Sequence, residues 1–147
     1  MVTRAEREAS ERFVRRYRES RVEAVHAVER AVIGGDWGAN GYTTVAQADR
    51  LGSLLELGPG VVVLDVGAGR GWPGLYLAAT AGCSVVSADV PVEGLRLARA
   101  RAADAGVADR SWSVNASART LPFRAAAFGA VIHTDVLCVD CDQSSPC

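Results

Sequence analysis

The segment Leu64-Asp65-Val66-Gly67-Ala68-Gly69-Arg70-Gly71-Trp72-Pro73-Gly74 restricts what this chain can fold into more than any other stretch. It follows Val61-Val62-Val63-Leu64, a short, uniformly apolar, mostly β-branched run of the kind expected for a strand buried on both faces. A helical pattern begins at about Pro73 and runs to Ala81, with the proline at a tolerated first-turn position. Glycines between a buried strand and a helix allow backbone angles closed to other residues, and they let a ligand approach the main chain. The helix points its N-terminus into that crevice. In open α/β sheets, ligands bind at the carboxyl ends of the strands.

The remaining sequence supports an α/β architecture of about four parallel strands flanked by helices. Ser84 to Ala88 reads as a second strand. Val92 to Ala105 reads as a helix with Leu95, Leu97 and Ala98 inward and Gly106 at its end. Ser111 to Val114 is a weak third strand, and Phe128 to Thr134 a strong fourth one. Strand–helix–strand repetition with short loops implies right-handed crossovers. Ahead of this unit, Thr3 to Ile33 reads as one long helical extension opened by a capping box, Thr3 with Glu6. Phe13, Val14, Tyr17, Val25, Val28 and Val32 recur there at helical spacing, which suits a packing helix with a solvated charged face. His26 falls within that pattern and is expected to be structural. A polar loop, residues 36–44, precedes a second helix that starts at Thr44, again with a glutamine three residues on, and buries Leu51, Leu54 and Leu55 before Gly58-Pro59-Gly60 stops it.

Two ligand classes fit the glycine loop. Gly69-x-Gly71-x-x-Gly74 satisfies a dinucleotide pattern, with Asp89 as the ribose acceptor of a nicotinamide-dependent dehydrogenase. Asp65, two residues before the first glycine, argues the other way. A carboxylate there would oppose a pyrophosphate, whereas it suits a ligand that ends in an ammonium group, as the methionine part of S-adenosylmethionine does. The alternative is that Asp65 only caps the loop. Asp89 ends the second strand, where a charged acceptor can take hydrogen bonds from both ribose hydroxyls.

Four blocks in order resemble class I, Rossmann-like, S-adenosylmethionine-dependent methyltransferases: Asp65-Val-Gly-Ala-Gly-Arg-Gly71, Ser87-Ala-Asp89, Asn115-Ala-Ser-Ala-Arg-Thr-Leu-Pro-Phe123, and Ala127-Phe-Gly-Ala-Val-Ile132. The likeness runs from about Tyr42 to Leu137. It implies a partial Rossmann-like sheet at 45–137, behind the helical extension and loop at 1–44 and ahead of an irregular tail at 138–147. It also implies a cofactor cradle made by Asp65, Gly67, Ala68, Gly69, Gly71, Asp89, Val90, Ser117 and Ala118. In that cradle Gly67 and Gly69 admit the cofactor, Asp65 lies near its amino group, Asp89 holds the ribose, and Ser117-Ala118 borders the adenine.

The sequence departs from the family at three places. The acidic residue beside adenine falls on Ser117, and Gly129 stands where the fourth-strand block carries aspartate. The family's later helix, fifth strand and closing strands have no counterpart after Leu137, so the chain resembles a member truncated at its C-terminus. The cysteine-rich tail that follows reads as a shifted frame or a shortened gene. An incomplete sheet leaves the fourth strand as an apolar edge, for which pairing in a homodimer or marginal stability is the expected outcome. A non-catalytic, truncated remnant is therefore carried beside the enzyme reading.

His133 stands at the end of the fourth strand, as general base toward a methyl acceptor or merely packed. Tyr42 and Trp37 either close over the site or anchor the N-terminal helix, while Trp72 is expected to pack between helices. Cys138-x-x-Cys141, with Cys147, lacks a second cluster at ligand spacing, so no metal is expected. The net charge of -1 argues against a nucleic-acid substrate and for a small-molecule acceptor. No stretch approaches the roughly 20 apolar residues of a bilayer span, and Met1 to Ser20 carries both charge signs without an apolar signal core. With the cysteines clustered rather than spread through the fold, no membrane association and a reduced, cytoplasmic setting are the expectations.

Overall fold

A computed structural model describes residues 3–19 and 22–135. Three helices lead the chain: α1 (Arg4–Glu19), α2 (Glu23–Ile33) and α3 (Val45–Leu54). They are followed by β1 (Val62–Val66), α4 (Gly74–Ala81), β2 (Ser84–Asp89), α5 (Val92–Asp104), a short 3-10 turn at Ala108–Arg110, β3 (Ser111–Asn115) and β4 (Ala130–Ile132). All pairings are parallel and the strand order is β3-β2-β1-β4. Two successive right-handed crossovers in one direction put α4 and α5 on the same face. There Val63, Val85, Leu75, Leu77, Ala98, Ala102 and Ile132 form the main core. Leu64, Val66 and Ala88 point to the other face, where Leu121, Phe123 and Phe128 from the segment before β4 cover them. The expectation that β1 is buried on both faces holds, with helices on one side and an aromatic-bearing loop on the other. The order reverses beside β1, which β4 joins on the free side. Among the described residues β4 stands at the sheet edge, with Val131 57% exposed.

Local signals are realised at both capping boxes. Thr3 and Glu6 exchange bonds, the Thr3 amide to Glu6 Oε2 at 2.6 Å and the Glu6 amide to Thr3 Oγ1 at 3.2 Å. Thr44 and Gln47 form the second box. The long helix is not realised. It is interrupted at Val22, which adopts an extended conformation (φ -88°, ψ 134°) as the N-cap of α2. The two halves rest on different surfaces. α1 buries Ala9 and Tyr17 and runs beside α5, while α2 buries Glu29 and Ile33. Val25, Val28 and Val32, expected on the buried stripe, are 41–62% exposed. Similarly, α3 seats its small face, Ala48 and Gly52, and leaves Leu54 and Leu55 outward. Close approach explains this: a Cβ on Gly52 would already lie 3.1 Å from Leu77 of α4. The fourth strand is also shorter than the apolar run, since Phe128 turns aside to meet Phe123 edge-to-face at 4.9 Å.

The loop after α2 is fixed by a buried carboxylate. Glu29 accepts hydrogen bonds from the Trp37 amide (2.7 Å) and the Ala39 amide (3.0 Å). Trp37 rests edge-on against Tyr76, and Trp72 packs with Ile33 and Ala48 while donating from Nε1 to the Thr43 carbonyl. Both tryptophans therefore anchor the helical extension, which for Trp37 was one of two expectations. Removing Glu29 strands two amides, so Glu29→Ala is expected to cost about 2 kcal/mol. At about 2–4 °C per kcal/mol for a chain of this size, the melting temperature should drop by roughly 4–8 °C. A drop under about 1 °C in a thermal melt would show that the loop is held by other contacts.

Candidate functional site

The carboxyl ends of all four strands open into one crevice of about 270 Å³. Its floor is Gly67, Ala68 and Gly69 after β1, together with Asp89, Val90 and Pro91 after β2. Ala116 and Ala118 close one end after β3, and Thr134 and Asp135 the other after β4. The position beside the reversal of strand order is where open α/β sheets bind ligands. The described part of the chain thus brings Gly67, Ala68, Gly69, Asp89, Val90 and Ala118 into the crevice wall. Ser117 is buried directly behind that wall, 4% exposed.

Gly69 shows why this loop is glycine-rich. Its φ of +53° is a left-handed conformation, and a Cβ there would meet Tyr17 Oη and Asn40 Nδ2 at 3.1 Å. The Gly69 amide donates to Asp89 Oδ2 at 2.6 Å, and the Val90 amide donates to Oδ1 at 2.7 Å. The Asp89 carboxylate therefore orients the loop, and each oxygen keeps a further lone-pair direction for another donor. Burial raises its pKa, opposed by those two amides. Gly71 does not line the crevice; it turns the chain toward α4 beneath Leu75 and Ala98.

Asp65 lies under the loop rather than in the crevice wall. It is 1% exposed, and its Oδ2 accepts from the Gly74 amide at 3.1 Å, the first residue of α4. A Cβ at position 74 would come within 2.6 Å of that oxygen, so only glycine permits the contact. That hydrogen bond caps the first turn of α4. Burial pushes its carboxyl up to about 8, with the Gly74 amide opposing and the nearby Asp89 charge adding to the rise. A carboxylate already occupies the amide that a pyrophosphate would need at this helix start.

His133 does not line the crevice. Its Nδ1 lies 3.3 Å from the Val66 carbonyl, a contact that suits the packing alternative. Its neighbour Asp135 does line it, and accepts from the Tyr42 amide, the Thr43 amide and the Thr43 hydroxyl at 2.8–3.2 Å. Tyr42 is 85% exposed at the mouth. The Cys138, Cys141 and Cys147 cluster lies outside the described residues. His26, Glu29 and Asp36 bring possible metal-ligand atoms within 4.8 Å of one another. His26 and Arg30 already contact the Asp36 carboxylate, and two amides occupy Glu29, so the group works as a capping network.

The wall that sequence reasoning missed is α1. Glu6, Ser10, Phe13 and Tyr17 form one stripe and line the crevice opposite the glycine loop. The Ser117 hydroxyl donates to Glu6 Oε1 across 111 residues of sequence. The helical spacing of these residues was visible, but nothing local states which surface the stripe covers.

Comparison with known proteins agrees with this geometry. Residues 63–145 match a family described as a methyltransferase domain. An uncharacterized Mycobacterium tuberculosis protein is 39% identical over 108 residues, which covers 67% of this chain and 37% of that protein. The chain thus spans little more than a third of the mycobacterial relative's length. An S-adenosylmethionine-dependent methyltransferase from Geobacter sulfurreducens, solved with S-adenosylhomocysteine, aligns at 25% identity with a TM-score of 0.61, covering 69% of this chain and 41% of that one. Geranyl diphosphate C-methyltransferase from Streptomyces coelicolor, also solved with S-adenosylhomocysteine, aligns at 25% identity and a TM-score of 0.55, over 60% of this chain and 33% of that one. The [4+2]-cyclase SpnF aligns at 27% identity and a TM-score of 0.53, over 73% and 44%.

Proposed function

The chain belongs to the methyltransferase-domain family, and from that premise we propose that its crevice binds S-adenosylmethionine for methyl transfer to a small-molecule acceptor. The observation that carries the reading is Asp89, a carboxylate at the end of β2 that organises the glycine loop through Gly69 and still faces the crevice. It is placed to accept both ribose hydroxyls, while Val90 and Ala118 offer apolar surface to the base. Asp65, a buried carboxyl beneath the same loop, favours a ligand end that carries an ammonium group once it ionises, above about pH 8.

When bound, this cofactor supplies a methyl group already activated by its sulfonium. The protein's own work is then alignment and exclusion of water, which needs few reactive side chains. α1 and the loop from Asn40 to Tyr42 roof the crevice, and Thr134 and Asp135 offer polar groups at the end away from Ala118. His133, beside that end, belongs to the proposal only if the acceptor reaches it. A small acceptor is supported by the balanced charge, -1 overall, and by the structural likeness to a geranyl diphosphate C-methyltransferase, which was solved with geranyl diphosphate bound.

A nicotinamide dinucleotide is the competing ligand, and Asp65 on the Gly74 amide argues against it. Isothermal titration separates the two. S-adenosylhomocysteine is expected to bind with a Kd on the order of micromolar, or about -8 kcal/mol, and NADH to give no heat of binding. A folded chain that binds NADH, or neither ligand, would overturn the proposal.

A further inference from the structure

We infer that Glu6, on the first turn of α1, reads the nucleobase of the bound cofactor and selects a 6-amino purine over a 6-oxo purine. The inference rests on the cofactor reading above. On that reading the ribose is held at Asp89 and the base lies past Val90 and Pro91, toward Ala116 and Ala118, the end that Glu6 closes through its bond to Ser117. The walls there are apolar and small, suited to a flat ring but unable to tell one purine from another by hydrogen bonding. Glu6 is the charged side chain at that end.

Its carboxylate is held in place from two sides. The Ser117 hydroxyl donates to Oε1, and the Thr3 amide donates to Oε2 at 2.6 Å. Both bonds hold the Glu6 carboxyl below the usual carboxylate range, with the nearby Arg119 charge acting in the same direction. An ionised carboxylate only accepts, and each oxygen has a second lone-pair direction beyond the one already used. A 6-amino group donates to such an oxygen, whereas a 6-oxo group meets it acceptor to acceptor. Ser117 itself is buried, and its oxygen already accepts from the Arg119 amide while its proton goes to Glu6. The anion, not the hydroxyl, is therefore the group left to meet the base. The arrangement also ties ligand recognition to the docking of α1, since Glu6 reaches Ser117 only when that helix lies across the crevice.

The test is paired titration of the full chain with S-adenosylhomocysteine and with its 6-oxo analogue, S-inosylhomocysteine. Wild-type protein is expected to prefer the amino form by about tenfold or more. In Glu6→Gln, whose amide can donate as well as accept, the ratio should fall below about threefold with the melting temperature unchanged. Glu6→Ala, read in the same way, serves if the glutamine variant does not fold. If Glu6 only docked α1, both ligands would weaken together and the ratio would stay at its wild-type value, which overturns the inference. Wild-type binding of S-adenosylhomocysteine without discrimination overturns it too and leaves the cofactor reading standing. Failure of wild-type protein to bind either ligand removes the cofactor reading as well.

Discussion

Asp89→Ala should raise the Kd for S-adenosylhomocysteine about 100-fold, the equivalent of about 2.7 kcal/mol. The magnitude follows from two hydrogen bonds to a charged acceptor, each worth on the order of 1.5–3 kcal/mol when its loss leaves a donor unpaired. The structure adds a second route to the same loss. Asp89 Oδ2 holds the Gly69 amide at 2.6 Å, so alanine also releases the loop that shapes the floor of the crevice. Asp89→Asn separates the two contributions. Its amide oxygen can still take the Gly69 amide, while its NH2 then faces the Val90 amide and the charge is gone, so an intermediate loss of about tenfold is expected. Titration calorimetry on the three proteins, each checked for an intact melt, reads the effect directly. A change below about threefold in Asp89→Ala would mean that the ribose is held elsewhere.

Asp65→Asn should stabilise the protein at alkaline pH while weakening cofactor binding there. Burial raises the Asp65 carboxyl to about 8, from an ordinary value near 3.8. Between those values the folded chain keeps a proton that the unfolded chain has released. Stability then falls as pH rises, because the unfolded state binds fewer protons. The contribution is fully present below about pH 4 and is lost progressively up to about pH 8. From pH 5 to pH 8 the decline is on the order of 3 kcal/mol, discounted from the full 1.36 kcal/mol per pH unit. Asparagine keeps an oxygen for the Gly74 amide and does not titrate. Asp65→Asn should therefore melt higher than wild type at pH 8, by roughly 6–12 °C, and by much less at pH 5. Melts at the two pH values check this, and equal differences at both would show that Asp65 stays ionised in the folded chain. In the same variant, S-adenosylhomocysteine should bind about tenfold more weakly above about pH 8, where wild-type Asp65 is ionised and favours the ligand ammonium, and about as tightly as wild type at pH 6.

Some of this protein could be read from short stretches alone. Both capping boxes, Thr3 with Glu6 and Thr44 with Gln47, formed as their spacing implies, because both partners sit within one turn. The alternation of β1, α4, β2 and α5 was legible for a similar reason: a buried strand and a glycine-bounded helix are written in consecutive residues. The glycine loop with Asp65 and Asp89 was legible because the chain geometry of one strand–helix–strand unit brings them together. Even there the hydrogen bonds were not, since Asp65 is turned to Gly74 under the loop.

The N-terminal half was decided by tertiary structure. A helical stripe announces that one face will be covered, but not by what, and a single phase drawn from Phe13 to Val32 fitted no one surface. The helix is interrupted at Val22 because α1 and α2 have different neighbours, and the valines at 25, 28 and 32 stay outward. On α3, Ala48 and Gly52 are chosen over the leucines because close approach to α4 favours small residues. The contact that turns α1 from an extension into a wall of the site, Ser117 to Glu6, spans 111 residues. The sequence by itself determined the parallel sheet, the glycine loop and the two aspartates that identify the crevice, all from neighbouring residues. Only the tertiary structure decided what covers that crevice, because a contact between distant segments exists only once the intervening core has placed them side by side.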